Sequence, residues 1–332
     1  MRKRKEIVAI ILALALFLSL SWAAAWLLMP VRTEYGSMWD AYRQEERDSI
    51  DLLVMGSSFA YCDIIPAYLW GGAGVRSYVM AGPKQTPAVS YYYIREACKT
   101  QSPRYLMLEL TGMFFEKYEE YAFANVSYMP LSANRIGAAF AGAPQSDRLG
   151  LLFPLYAYHS RWTEVETPEI TAHLHPQSDA LAGYTLLTTT EPIEADYERE
   201  FTAESTEYKD NLQWLGKIAD YCEKNGIELM PFIAPSTGKI PPAALETLRG
   251  DVAALGLTLT DFNEIIPELE IDYSTDWYDP RHFNLRGAVK FSRWLGEYLS
   301  VECGVTPTAE ADAELWNERL QYVEDARAAL NE

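Results

Sequence analysis

The stretch Asp51 to Tyr61, DLLVMGSSFAY, decides how this chain folds. Leu52-Leu53-Val54-Met55 is an apolar run of strand length, and it stops at Gly56-Ser57-Ser58. A run of this kind, bounded by glycine and small hydroxyl residues, reads as a strand buried on both faces that delivers a serine to the end of a sheet. Open α/β sheets place their chemistry there.

The pattern repeats downstream. Val75–Ala81 (VRSYVMA) predicts a second strand, closed by Gly82-Pro83, and Arg104–Leu110 (RYLMLEL) a third. Ile227–Ala234 and Leu257–Phe262 predict a fourth and fifth. Between them lie helical spacings: a helix starting near Cys62 and interrupted at Pro66, then 86–99, 207–225 closed by Asn225-Gly226, and 241–255. Gly71-Gly72-Ala73-Gly74 reads as a turn, and Trp277–Phe283 as a loop before a last helix over 285–299. Strands alternating with helices imply an α/β fold: a three-layer α/β/α domain with a mainly parallel five-stranded sheet. Residues 113–205 break the alternation and read as a cap insertion of short helices, in which Tyr156–Trp162 and Gly183-Tyr184 stand out.

The N-terminus gives an address. Met1–Glu6 is basic, and Ile7–Met29 carries no charge over a length of about 34 Å as a helix, enough for a bilayer core. Ala23-Ala24-Ala25 supplies the small residues of a signal-peptide cleavage site. Continuation through Trp26-Leu27-Leu28-Met29 favours a single-pass anchor, with the basic tip inside and the main domain extracytoplasmic. The expected division is therefore 1–30 tip and anchor, 31–48 linker, 49–301 main domain, and 302–332 spacer and charged helix. Net charge is −19, and −22 once the first six residues are set aside. Such a surface repels nucleic acid.

No cofactor motif emerges, since the glycines near 71–74 lack the Lys-Ser/Thr of a phosphate loop. Cys62, Cys98, Cys222 and Cys303 form no metal-like cluster and single out no disulfide. His173 and His175 make an HxH without further ligands, so no metal is expected.

With four histidines in the chain, the search for a base is short. His282 follows Asp279 by three residues on a segment stiffened by Pro280, so the carboxylate is placed to fix the imidazole tautomer. Ser58, Asp279 and His282 form a candidate triad; Ser57 is the rival nucleophile, and Asn284 an expected helix N-cap.

Together, Gly56-Ser57-Ser58, Gly82 and Asp279-x-x-His282 resemble the SGNH, or GDSL-type, hydrolase superfamily, over roughly residues 50–300. With the anchor, GSS in place of GDS, and Tyr158-His159-Ser160-Arg161-Trp162, the chain looks most like extracytoplasmic members that serve teichoic-acid D-alanylation and polysaccharide O-acetylation. The resemblance implies an SGNH/flavodoxin-like fold and a serine esterase or O-acyltransferase acting on an acylated surface glycan or polymer, with a membrane-bound acyltransferase as possible partner. It implies Ser58 as nucleophile and Ser58 and Gly82 as oxyanion donors. The family's asparagine after the third strand is missing; Glu109-Leu110-Thr111-Gly112 stands there, and Thr111 is the expected substitute. His159 and Arg161 are expected to contact substrate from the cap. A non-catalytic accessory of the same shape is the alternative.

Overall fold

The computed structural model describes residues 2–30, 39–307 and 313–330. Of the expected linker over 31–48, residues 31–38 lie outside the described residues, as do residues 308–312 of the expected C-terminal spacer. Five strands, β1 (Leu52–Gly56), β2 (Ser77–Ala81), β3 (Tyr105–Glu109), β4 (Glu228–Ile233) and β5 (Thr260–Asp261), form one sheet. Every pairing is parallel, in the order β2-β1-β3-β4-β5. The order reverses direction on either side of β1, which makes the C-terminal end of β1 the switch point where such sheets bind ligands.

The unbroken apolar run of β1 follows from this position. Leu53 and Met55 enter one core and Leu52 and Val54 the other. A central parallel strand has no solvent face, so the period-2 alternation separates two interiors rather than inside from outside. Helices α1 (Arg2–Leu28), α2 (Ser58–Asp63), α3 (Pro66–Ala73), α4 (Pro87–Ala97), α5 (Thr206–Asn225), α6 (Pro242–Ala254), α7 (Leu285–Val301) and α8 (Ala313–Ala329) supply the long helical elements and the turn that carries Ser58. On one face Tyr93, Leu215 and Leu248 bring in α4, α5 and α6; on the other Leu69, Leu295 and Val323 bring in α3, α7 and α8. Caps set the ends: Ser205 accepts from the Tyr208 N–H, and Gly226, at φ 67°, closes α5. Asn284 caps α7, accepting from the N–H groups of Arg286 and Gly287.

Three local expectations change. Gly71 and Gly72 continue α3, and the turn comes only at Gly74. Gly72 and Gly296 face each other across α3 and α7, so their missing side chains serve close helix packing. Trp277–Phe283 is an antiparallel hairpin, Trp277–Asp279 with His282–Phe283, rather than a loop. β5 is two residues long, shorter than the predicted 257–262. The cap holds short helices over 119–174 and a two-residue ribbon pairing Tyr197–Glu198 with Gly238–Lys239. The sequon Asn125-Val126-Ser127 is buried on a helix, closed to glycosylation once folded. All four cysteines are free thiols.

The apolar helix α1 reaches a mean hydropathy of 2.6 over an 18-residue window within 3–28 and is long and apolar enough to cross a membrane. The charged tail helix α8 is no loose appendage. Tyr68 and Trp70 of α3 donate to Glu324 and Asn317, at 2.8 and 3.0 Å. Arg319 donates to Glu45 at 2.6 Å with both side chains almost wholly buried.

Candidate active site

β1 ends at Gly56, whose φ of 141° belongs to glycine alone; a Cβ there would stand 2.5 Å from that of Glu109 on β3. The chain can therefore turn sharply between two strands and open α2 directly with Ser58. At the first position of a helix, the Ser58 N–H has no intrahelical acceptor.

Ser57 and Ser58 are divided by this turn. Ser57 is fully buried and its hydroxyl donates to Glu109 Oε2 at 2.8 Å. Ser58 Oγ meets His282 Nε2 at 2.8 Å. His282 Nδ1 lies 3.0 Å from both carboxylate oxygens of Asp279. Asp279 also accepts the N–H groups of Arg281 and His282, so the hairpin tip, the carboxylate and the imidazole move as one unit. The hairpin is tied to the serine's own helix: buried Asp63, at the end of α2, accepts the Phe283 N–H at 2.9 Å. Two segments more than 200 residues apart are thereby held in register.

The electrostatics suit proton transfer. Burial lowers the His282 pKa below its ordinary 6.5; Asp279 opposes that, and the Arg281 and Arg199 charges reinforce it. Burial pushes Asp279 up, but the hydrogen bond and charge of His282, with Arg281, outweigh it and leave the carboxyl at about 2. At neutral pH the pair is thus imidazole and carboxylate, with Nδ1–H toward Asp279 and the Nε2 lone pair toward Ser58.

Comparison with protein-family models, with curated proteins and with solved structures finds no match. The site therefore has to be read from its own geometry.

The expected oxyanion donors fare differently. Thr111 is withdrawn: its N–H donates to Glu109 Oε1 at 2.6 Å and its hydroxyl also bonds that carboxylate. Burial raises the Glu109 pKa against these hydrogen bonds and those of Ser57. The Gly82 N–H, just after β2, points toward Gly56 O at 3.4 Å, a long and weak bond. Asn125 packs its amide against Gly82 and donates to Pro83 O at 3.0 Å. It buttresses the Gly82 turn; nothing in its spacing from β3 could have announced this.

Ser58 and His282 open into a cavity of about 690 Å³, with Tyr61, Leu181 and Leu187 on one side and Lys84, Tyr121, Tyr278 and Arg281 around it. Leu181 and residues 185–189 line it from the cap, pinned where Thr185 N–H donates to Tyr61 O at 2.7 Å. Gly183 explains its prominence in the sequence: at φ 87°, a side chain there would strike the Val79 carbonyl. His159 and Arg161 do not line this cavity. His159 Nδ1 meets its own helix at Tyr156 O, and Arg161 is held by Leu28 O and Glu169. Arg161 thus stands at the junction with α1, away from Ser58. Among the described residues no group of three or more His, Cys, Asp or Glu is arranged to hold a metal ion.

Two expectations can be checked at the bench. The rate of any Ser58-dependent acylation should fall about tenfold per pH unit on the acid side, with a midpoint below pH 6.5, because protonated His282 cannot accept the serine proton. A pH profile with its acid limb at or above 7 would exclude His282 as the base. Ser57→Ala should keep that reactivity while lowering stability by about 1–3 kcal/mol in urea unfolding, since Glu109 loses a buried donor.

Proposed function

We propose that this chain is a serine esterase or O-acyltransferase of SGNH type, anchored by α1 with its main domain outside the cell, acting on acyl groups of a cell-surface glycan or polymer. The observation that carries the reading is the unbroken chain Ser58 Oγ to His282 Nε2 to Asp279, at 2.8 and 3.0 Å, at the switch point of a parallel sheet. A serine hydroxyl is a weak nucleophile alone, and this arrangement activates it.

In the proposed reaction Ser58 Oγ attacks the acyl carbonyl while His282 Nε2 takes its proton. The oxyanion faces the N–H groups of Ser58 and Gly82. Collapse breaks the bond to the leaving alcohol, which receives the proton from His282, and leaves an acyl-serine. A sugar or polymer hydroxyl then gives transfer, and water gives hydrolysis. Tyr61, Leu181 and Leu187 offer an apolar wall for the acyl group. Lys84 and Arg281 set local positive charge at the mouth of a chain whose net charge is −19, which favours a polymer bearing anionic groups.

A second reading has its own support. With Thr111 committed to Glu109 and no asparagine after β3, the oxyanion site is short of a donor, a loss that typically costs about 10² to 10³ in rate. That favours a non-catalytic accessory docking a membrane acyltransferase. A fluorophosphonate probe separates the two: a covalent adduct mapped to Ser58 in the intact protein supports the enzyme, and no adduct supports the accessory.

A further inference from the structure

Large apolar side chains left in solvent are gathered in two places. The first is α1. The second is the cap between 131 and 174, where Phe140, Leu149, Phe153, Tyr156, Trp162 and Leu174 are each at least 50% exposed. Elsewhere among the described residues the exposed large hydrophobics are Tyr197, Tyr278, Val301 and Tyr322, scattered singly. A concentration of this kind marks an interaction surface.

The same part of the cap grips the end of α1. Arg161 Nη1 donates to Leu28 O at 2.6 Å and His173 Nε2 to Met29 O at 2.8 Å, with the Trp26 ring centroid 4.9 Å from that of His173. The last carbonyls of a helix lack intrahelical donors and carry the negative end of its dipole, so a guanidinium is well placed there. Wherever α1 leaves a bilayer, the cap stands at that surface. Its charge is also unlike the rest of the chain: from Leu131 to Leu174 three arginines stand against one aspartate and three glutamates, a net of −1, where the whole chain carries −19. A strongly acidic face would be repelled by anionic headgroups, and one this close to neutral is repelled far less.

We propose that the cap over 131–174 is a membrane-interface surface, seated in the headgroup and upper acyl region of the leaflet beside the C-terminal end of α1. Its occupant is the bilayer itself. Tryptophan, tyrosine and leucine on short helices are the side chains that settle at this depth. The inference rests on the reading of α1 as an anchor. It adds a second attachment, which holds the domain at a set tilt to the bilayer.

The test uses the full-length protein in nanodiscs of mixed neutral and anionic lipid, with a photo-crosslinking phenylalanine replacing Leu14, Phe153, Trp162 or Val301 in turn. All four side chains are exposed, so the substitutions disturb no core. Lipid adducts at 14, 153 and 162 and none at 301 are expected. Adducts at 14 with none at 153 and 162 overturn the proposal alone; none at 14 overturns the anchor reading and the proposal with it. In cell membranes, adducts to a protein in place of lipid at 153 and 162 would give this surface to a protein partner and overturn the proposal as well. The readout is independent of Ser58, so it stands apart from the acyl-enzyme reading.

Discussion

Ser58→Ala is expected to cut turnover of a small activated ester by about 10⁶-fold, the scale on which a triad loses its nucleophile. The loss should be this large because no neighbour can take over. Ser57 is adjacent in sequence but faces away, buried, with its hydroxyl given to Glu109 at 2.8 Å. Water entering the space left by Oγ would retain only the oxyanion donors and binding, which account for a residual of about 10³ to 10⁴ over the uncatalysed rate. Steady-state hydrolysis of a nitrophenyl ester, with fluorophosphonate labelling alongside, measures the effect. A Ser58→Ala protein that retains turnover would reject the nucleophile, and a Ser57→Ala protein that loses it without unfolding would exchange the two serines.

Arg319→Ala is expected to be the most damaging single change to stability outside the site, lowering it by about 3–5 kcal/mol. The guanidinium of α8 and the carboxylate of Glu45, in the segment that follows the anchor, are both about 2% exposed and 2.6 Å apart. Burial raises the Glu45 pKa and Arg319 opposes that rise, so removing the arginine leaves a carboxyl with no buried partner. The Arg319 stem also covers Trp316, with the guanidinium 4.5 Å from its ring. Thermal unfolding of the variant reads the loss. A double variant, Arg319→Leu with Glu45→Leu, should recover much of it, because an apolar pair of similar volume does not require the two charges to leave water. An Arg319→Ala protein as stable as the parent would show that the Arg319–Glu45 pair contributes nothing to the fold.

The sheet was legible because β1, β2 and β3 are buried along their whole length and β4 along most of it, so they are written as nearly continuous apolar runs, as in Leu52–Met55. The helix caps at Ser205, Gly226 and Asn284 were legible for a related reason: a cap is satisfied within a few residues of itself. The hairpin at Trp277–Phe283 was not, since Asp279 and His282 pair across a tip too short to show alternation. The role of Thr111 was misread from position alone. It follows β3 where a donor was wanted, but the buried carboxylate of Glu109 two residues earlier takes its N–H at 2.6 Å. The place of Arg161 was not legible either, because its partner is the Leu28 carbonyl at the end of α1, 133 residues away.

By itself the sequence determined the alternation of strands and helices, the apolar N-terminal helix, and the pair of local signals, Gly-Ser-Ser after a strand and Asp-x-x-His before a helix. Those features depend on residues close together in the chain. Only the tertiary structure decided which serine of DLLVMGSSFAY faces His282, which donors remain for an oxyanion, and which face of the cap is apolar. The first turns on contacts across 50 or more residues, Ser57 with Glu109 and Ser58 with His282, where packing and the satisfaction of buried polar groups outweigh local preference.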